Sequence, residues 1–560
     1  MVSPNESLPV APARPLTPLP LFALTLKTSP RKWRIAALAF ALLAALRLTP
    51  PVHAAGAAQP AAAIPRPPNI LFVISDDQSW RDTSINGERT VRTPAFDRIA
   101  REGVRFTHAF CASPSCTPSR SAVLTGRHIW QIGEAGVLYG TLPKEFPVFP
   151  HLLKTAGYHT GFTGKGWGPG DWQAGGLTAH PLGREYNEKL VAPPPHPAID
   201  ARDYAENFNA FLRDRPAGTP FFFWFGATEP HRVLEKGSGL KAGKRLADVT
   251  VPPYWPDTDE VRSDLVDYAL EIDWFDAQLA KMLAKLAALG ELDSTLVVVT
   301  SDNGMPFPRA KTTLYDPGVR MPLAVRWPGR IPAGRVVDDF VSHLDFAPTF
   351  LAVAGITVPA LITGRSLLPV LTSRAAGRVD STRAAAYTAL ERHTWCRPDG
   401  GGYPMRAVRT ADFLYIRNFA PDRWPTGGPD IVSSNKTFHG DVDGAPIKDF
   451  MEDPANQRRF PTQFALCYGK RPLEELYDVR ADPHQIHNLA ADPAQRATRE
   501  KLWQQLRAYL VQTGDPRSDG RDPWQAYPYR QTVGFGATFN RTLTEAERDA
   551  AAGRAAHKPQ

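Results

Sequence analysis

The sequence predicts an α/β fold, a sandwich with a large mixed, mainly parallel sheet between helices, joined to a smaller α+β C-terminal subdomain. Three observations predict it. Short, largely apolar runs recur along the chain, at 69–75 (NILFVIS), 220–226 (PFFFWFG) and 294–300 (STLVVVT). They are continuous rather than alternating, as strands covered on both faces are. Helical patterns fall between them, and that order implies parallel strands joined by helical crossovers. Past about residue 380 the pattern changes to shorter, closely spaced strand-like pieces.

Taken in order, 69–75 is a buried strand. Thr93-Pro94 opens a helix with a cap and a first-turn proline, and Phe96, Ile99 and Ala100 form its apolar face. A helix at 147–156, a strand at 159–163 and a helix at 204–213 lead to the strand at 220–226. The clearest helix starts after Thr258. Val261, Leu265, Tyr268, Ile272, Phe275, Leu279, Met282 and Leu286 recur at three and four, and Gly290 closes it. The strand at 294–300 and another at 322–326 follow. Beyond 380, pieces at 385–390, 406–410 and 413–418 read as strands and 491–511 as a helix. No internal repeat is visible.

The chain has 560 residues, 43% hydrophobic and 22% charged, an ordinary globular balance, with 55 prolines that imply long ordered loops. The net charge is +8, but it is unevenly placed. Arg14, Lys27, Arg31, Lys32, Arg34 and Arg47 precede residue 55 against the single acid Glu6. The remainder is too weakly basic, and too free of Lys/Arg stripes, for a nucleic-acid binder. Arg31, Lys32 and Arg34 lead into the apolar run 35–46, which is short for a membrane span, and Val52-His53-Ala54 offers a cleavage site. The expected organisation is a signal peptide at 1–54, an Ala/Pro-rich linker at 55–68, a catalytic domain at 69–378, a C-terminal subdomain at 379–530 and a tail at 531–560. The mature protein is expected to be exported, periplasmic or extracellular, with no stable membrane anchor after cleavage. The four cysteines, Cys111, Cys116, Cys396 and Cys467, are too few to read as a disulfide framework.

The chemistry collects at strand ends. Asp76 and Asp77 directly follow the first strand, and Asp302 and Asn303 follow the run at 294–300 within Ser301-Asp302-Asn303-Gly304. In a parallel sheet, ligands bind beyond the carboxyl ends of the strands. Three carboxylates gathered there repel one another, and a hard cation that takes oxygen ligands, calcium above magnesium, relieves the repulsion. Either pair alone also reads as an ordinary loop or helix cap. The second feature is Cys116-Thr117-Pro118-Ser119-Arg120, a pattern expected by chance only on the order of once in a thousand chains of this length. The helix it opens (117–125) aims its N-terminal N–H groups at residue 116, and Arg120 adds a cation one turn on.

Cys-x-Pro-Ser-Arg followed by Leu124-Thr125-Gly126 resembles the sulfatase family signature, in which the cysteine is oxidised to formylglycine. The order of motifs is similar too: Asp76-Asp77, the signature, Gly164-Lys165, Pro230-His231, then Ser301-Asp302-Asn303-Gly304. The resemblance spans roughly 69–510 and implies an alkaline-phosphatase-like fold. It implies that Asp76, Asp77, Asp302 and Asn303 hold calcium beside the formylglycine from Cys116. Arg120 would orient the aldehyde hydrate, and Lys165, His231 and Lys311 would contact the sulfate and the leaving group. Within the family the chain is most similar to the heparan N-sulfatase (sulfamidase) branch, through Asp302–Pro308 with Thr313-Leu314-Tyr315, Pro230-His231-Arg232, Tyr403–Arg406 and Glu475–Asp478. It departs from that branch at Trp167, where a histidine is usual, and at Lys311, where an arginine is; the lysine keeps the charge but loses the bidentate fork.

The expected activity is removal of sulfate from a sulfated carbohydrate, N-sulfoglucosamine being one candidate. The residue-116 hydrate would supply the nucleophile, Lys165 and Lys311 would stabilise the sulfate oxygens, and His231 would act as general acid. Glu391, His393, Tyr403 and Arg406 are expected to line the mouth of the sugar pocket, against interdomain packing as the plainer reading. A formylglycine-generating or sulfatase-maturing enzyme is an implied partner. Two other functions fit the same residues: a formylglycine-dependent phosphoester or phosphonate hydrolase, and a non-catalytic sulfoglycan-binding protein if Cys116 stays a thiol. Oligomeric state is not readable.

Overall fold

The structure, a computed structural model, describes residues 67–530 other than Pro195, Asp430, Val432 and 434–436. The expected signal peptide, most of the linker and the tail at 531–560 lie outside the described residues.

Eight strands form the main sheet: β1 (Asn69–Ser75), β2 (Val104–Phe110), β3 (His159–Gly164), β4 (Arg184–Glu185), β5 (Phe221–Gly226), β6 (Thr295–Ser301), β7 (Arg320–Arg326) and β8 (Arg335–Ser342). Their order across the sheet is β4-β3-β5-β1-β6-β7-β2-β8. β1 pairs in parallel with β5 and β6, β3 with β5 and β4, and β2 with β8; β7 runs antiparallel to both its neighbours. The mixed, mainly parallel sheet matches the expectation.

Helices cover both faces, and the alternation along β1 shows why Ile70–Ile74 reads as an unbroken apolar run. Ile70, Phe72 and Ile74 face one layer, where Phe72 packs on Phe346 and Phe350 at ring separations of 5.3 and 5.4 Å. Leu71 and Val73 face the other, where Phe275, Leu279, Met282 and Leu286 of the helix Asp259–Ala288 lie with Phe96 and Ile99 of the helix Pro94–Glu102. With β1 central, water reaches neither face.

Two details differ from expectation. Thr93 does not cap the helix Pro94–Glu102 with its side chain. Asp276, from the long helix, accepts from the backbone N–H groups of Ala95 and Phe96 at 2.8 and 2.9 Å. A carboxylate at that helix start meets both the free donors and the positive dipole end. In addition, β2 and β8 were not anticipated; they complete the sheet beyond β7.

A second sheet of four antiparallel strands, in the order β12-β11-β10-β9, is built from β9 (Ala385–Leu390), β10 (Met405–Thr410), β11 (Phe413–Asn418) and β12 (Glu474–Asp478). Leu502, Leu506 and Leu510 of the helix Arg496–Gln512 pack on one face of it. Ala407, Leu414 and Ile416 face Phe110, Met321 and Phe340 of the main sheet. This packing carries the end of β9 over the carboxyl ends of the main strands, where Ala389 N donates to Ala112 O at 3.0 Å.

Candidate active site

Parallel pairing places the chemistry. Ser75 pairs with Ser301, and Gly164 with Gly226, so β1, β3, β5 and β6 end at one level and the following residues emerge together. At Gly164 and Gly226 only glycine fits: a Cβ on Gly164 would stand 2.0 Å from Gly226 O, and one on Gly226 would stand 1.9 Å from Lys165 O. That close approach turns Lys165 towards β1, where its Nζ donates to Asp76 Oδ2.

Asp76, Asp77 and Asp302 are each at most 1% exposed, and one ligand atom from each lies within 4.8 Å of the others. Asp77 adopts φ 67°, a left-handed conformation that a non-glycine residue holds only where the surroundings impose it. Its N–H donates to Asp302 Oδ1 at 3.1 Å. Asn303 Nδ2 donates to Asp77 Oδ1 at 2.5 Å, while Asn303 Oδ1 is buried without a hydrogen-bond partner among the described residues. An orphaned buried carbonyl beside three carboxylates is an oxygen-only donor set, the preference of a hard divalent cation.

Cys116 begins the helix Cys116–Thr125 and is 3% exposed, with Sγ 3.7 Å from Asp76 Oδ1. Burial pushes its thiol far above the ordinary range, and Asp76 and Asp302 add to that against Lys165 and Lys311. A thiol so held is a poor nucleophile. Arg120, from the same helix and wholly buried, donates through Nε to Asp302 Oδ2 at 2.8 Å and through Nη1 to Lys165 O and Gly166 O at 3.0 Å each. Its Nη2 stands 3.8 Å from Asp76 Oδ1 and, among the described residues, has no hydrogen bond.

Burial alone would raise Asp76, but Lys165, His231, Arg120 and Lys311 outweigh it and hold the carboxyl far below its usual range. Asp302 moves the other way, to about 6, through burial and the neighbouring Asp76 charge. The two share one field: carboxylates crowd here until one resists ionisation.

The other wall follows β6 and β5. Lys311 Nζ donates to Asp77 Oδ2 at 2.7 Å and to Asp443 Oδ2 at 2.9 Å. His231 Nε2 lies 3.7 Å from Asp77 Oδ2, and His231 Nδ1 is 2.5 Å from Arg232 O, which assigns the proton to Nδ1 and turns Nε2 to the cavity. Arg232 holds this turn by pairing with both oxygens of Asp264 at 2.5 and 2.8 Å and lying 4.4 Å over the Phe307 ring. Trp167 is buried and its Nε1 donates to Ser121 Oγ at 2.7 Å, so an indole braces the signature helix where the family usually has an imidazole.

The nine residues expected at the centre, Asp76, Asp77, Cys116, Arg120, Lys165, His231, Asp302, Asn303 and Lys311, therefore come together. The four expected at the pocket mouth separate. His393 stays beside the cavity, within electrostatic reach of Lys311, Asp443 and His231, with Nδ1 2.8 Å from Ser115 Oγ, and burial lowers it to about 4. Glu391, Tyr403 and Arg406 are not at the mouth. Arg406 is 0% exposed and donates to Asp515 Oδ2 at 2.5 Å and Glu391 Oε1 at 2.6 Å, while Arg517 takes the other oxygen of Glu391 at 2.5 Å. Tyr403 lies in the apolar cluster with Tyr315 and Met405. Charge and an aromatic ring suggested a sugar contact, but each residue is consumed inside the smaller sheet's packing. Asp443 was not anticipated; the acidic turn Gly440-Asp441-Val442-Asp443-Gly444 was its only sequence signal.

Residues 68–356 match the family described as Sulfatase, over half of the chain. The chain belongs to the sulfatase family. Residues 309–420 of this sulfatase also match the C-terminal region described as N-sulphoglucosamine sulphohydrolase. It is 30% identical to the N-sulphoglucosamine sulphohydrolase of Homo sapiens over 80% of this chain and 91% of that protein. It is 28% identical to an ulvan-active sulfatase of Formosa agariphila over 82% of each. Among solved structures it is similar to one in complex with its substrate D-glucosamine-2-N,6-O-disulfate, at a TM-score of 0.56 and 22% identity, over 81% of this sulfatase and 100% of that chain. The shared architecture is the alkaline-phosphatase-like sandwich. Among the described residues no helix is long and apolar enough to cross a membrane.

Proposed function

We propose that this sulfatase removes sulfate from a sulfated carbohydrate, with N-sulfoglucosamine as first candidate, through a formylglycine made from Cys116 beside a bound calcium ion. The observation that carries the reading is the placement of Cys116 Sγ 3.7 Å from Asp76, one of three carboxylates whose ligand atoms lie within 4.8 Å of one another. Similarity to the human N-sulphoglucosamine sulphohydrolase over most of both chains supports the substrate.

Asp76, Asp77, Asp302 and Asn303 Oδ1 are the residues that would hold calcium, whose flexible coordination suits an irregular oxygen set. The ion would withdraw charge from sulfate oxygens and favour a deprotonated hydroxyl beside it. Formylglycine, as its hydrate, would supply that hydroxyl as the nucleophile at sulfur. The chain's own side chains do the rest. Lys165 and Lys311, from opposite walls, neutralise charge on the sulfate oxygens. Arg120 fixes the ends of β3 and β6 with three hydrogen bonds and keeps Nη2 for the oxygen carried by residue 116. His231 presents Nε2 to the leaving nitrogen or oxygen, its ring held by the Nδ1–H bond to Arg232 O; as general acid it would carry a second proton on Nε2, which passes to the leaving atom.

Charge supports the same reading. Leaving His231 aside, Arg120, Lys165 and Lys311 face Asp76, Asp77, Asp302 and Asp443, one negative charge in excess. A divalent cation reverses that sign and suits a monoanionic sulfate ester. Because Cys116 is buried, a maturing enzyme reaches it only before the chain folds. The basic stretch and apolar run at 31–46 support export.

The test is a screen of purified enzyme against sulfated mono- and disaccharides, N-sulfoglucosamine among them, with 4-nitrophenyl phosphate alongside. Release of sulfate from a sugar at a rate well above phosphate release is expected. Phosphate ester hydrolysis with no sulfate release contradicts the reading.

A further inference from the structure

A fourth carboxylate stands in a cavity that must accept an anion. Asp443 is not part of the Asp76/Asp77/Asp302 group; it clusters instead with Asp77 and His231, ligand atoms within 4.8 Å. Lys311 is 2% exposed and Asp77 0%, while the Asp443 side chain is 19% exposed. The row Asp77–Lys311–Asp443 thus runs from the sealed floor to the opening, with Asp443 at the wet end. Lys311 donates to Asp443 Oδ2, and among the described residues no donor is found for Oδ1.

A carboxylate facing a sulfated ligand repels it unless the ligand brings a donor to that oxygen. The sulfate oxygens offer none, and the N–H of a sulfamate belongs to the leaving atom, which the proposed mechanism gives to His231. The sugar offers a second donor: a hydroxyl on the carbon beside the sulfated position. We infer that Asp443 is a specificity residue of this sulfatase, accepting a hydrogen bond from the sugar hydroxyl adjacent to the group being cleaved. The inference rests on the sulfated-carbohydrate reading above and deepens it. Burial, which would raise the Asp443 carboxyl, is outweighed by Lys311 and His231, which hold it well below its usual range and so keep it an acceptor. Its role is discrimination: a substrate lacking the hydroxyl leaves a charged oxygen without a partner.

The test is a two-by-two comparison of kcat/KM. Wild type and Asp443→Asn are each given the methyl glycoside of N-sulfoglucosamine and its 3-deoxy analogue. Wild type is expected to prefer the hydroxylated sugar by on the order of 10²-fold. Asp443→Asn is expected to lose most of that preference, because its activity falls chiefly on the hydroxylated sugar. If wild type does not discriminate, the inference is overturned without recourse to any variant. If the variant discriminates as wild type does, Asp443 acts only through Lys311 or His231 and the inference is overturned. If wild type hydrolyses neither sugar, the substrate reading itself fails and takes the inference with it.

Discussion

Ser75 and Ser301 are the last register partners of β1 and β6, so the chain leaves both strands at one level and delivers Asp76 and Asp302 side by side. Asp77, turned back at φ 67°, closes the third side, its N–H on Asp302 Oδ1. A sheet register of one residue more or less would point these carboxylates to different faces.

Calcium should therefore stabilise the fold as well as serve the chemistry. Ligand at a hundredfold excess over its Kd contributes about 2.7 kcal/mol, a rise of about 3 °C in Tm for a chain of this size. Thermal melts with calcium and with chelator check this, and Asn303→Leu should shrink the difference. Equal Tm values with and without calcium contradict the metal site.

If His231 is the general acid to the leaving group, as proposed, its loss should matter most where that group is poor. His231→Gln is expected to lower kcat/KM for a sugar sulfate on the order of 10²–10⁴-fold. The fall should be much smaller for 4-nitrophenyl sulfate, whose phenolate leaves without help. Equal losses on both substrates assign His231 to binding instead.

Arg406 is a structural charge. Replacing it with alanine leaves Glu391 and Asp515 buried with fewer partners, and removal of one member of such a pair costs about 3–5 kcal/mol. Denaturant unfolding should show the loss, while KM of the folded fraction stays near wild type. A stable Arg406→Ala with a raised KM returns this residue to the substrate pocket.

Acid should unfold the protein partly through buried histidines. Burial pushes His343 down from 6.5 to about 3, and it does the same to His128 as the leading cause, with Arg406 adding. The folded state keeps both neutral while the unfolded chain takes up protons below 6.5. Stability is therefore complete above that value and falls as pH drops towards 3, by about 1.4 kcal/mol per unit for each histidine. Melting curves from pH 7 to pH 4 test the slope, which His343→Asn should flatten.

The fold and the centre of the site were legible where one physical signal dominated. β1, β5 and β6 are buried on both faces, so each reads as an unbroken apolar run. The long helix keeps strict three–four spacing. β8 was hidden because Asp338 and Asp339 interrupt it; Asp339 is 0% exposed, yet its oxygens are satisfied by the N–H groups of Val379 and Asp380 at 2.9 Å each. β2 was hidden because Arg105, Thr107 and His108 break its apolar run and its register shifts after Phe106. At the site, residues that directly follow strands were found, since their place follows from the topology. Glu391 and Arg406 misled because composition cannot tell a charge that meets a ligand from one that meets another charge, and Asp443 was missed because its loop has no periodicity.

The central claim is that residue 116 is an aldehyde in the working enzyme. Mass analysis of the tryptic peptide 106–120, from protein purified from its own cells, tests it most directly. The peptide should have lost one sulfur and two hydrogens and gained one oxygen at residue 116, with Cys111 unchanged. An intact thiol at residue 116 in enzyme that still hydrolyses sulfate esters at full rate contradicts the account.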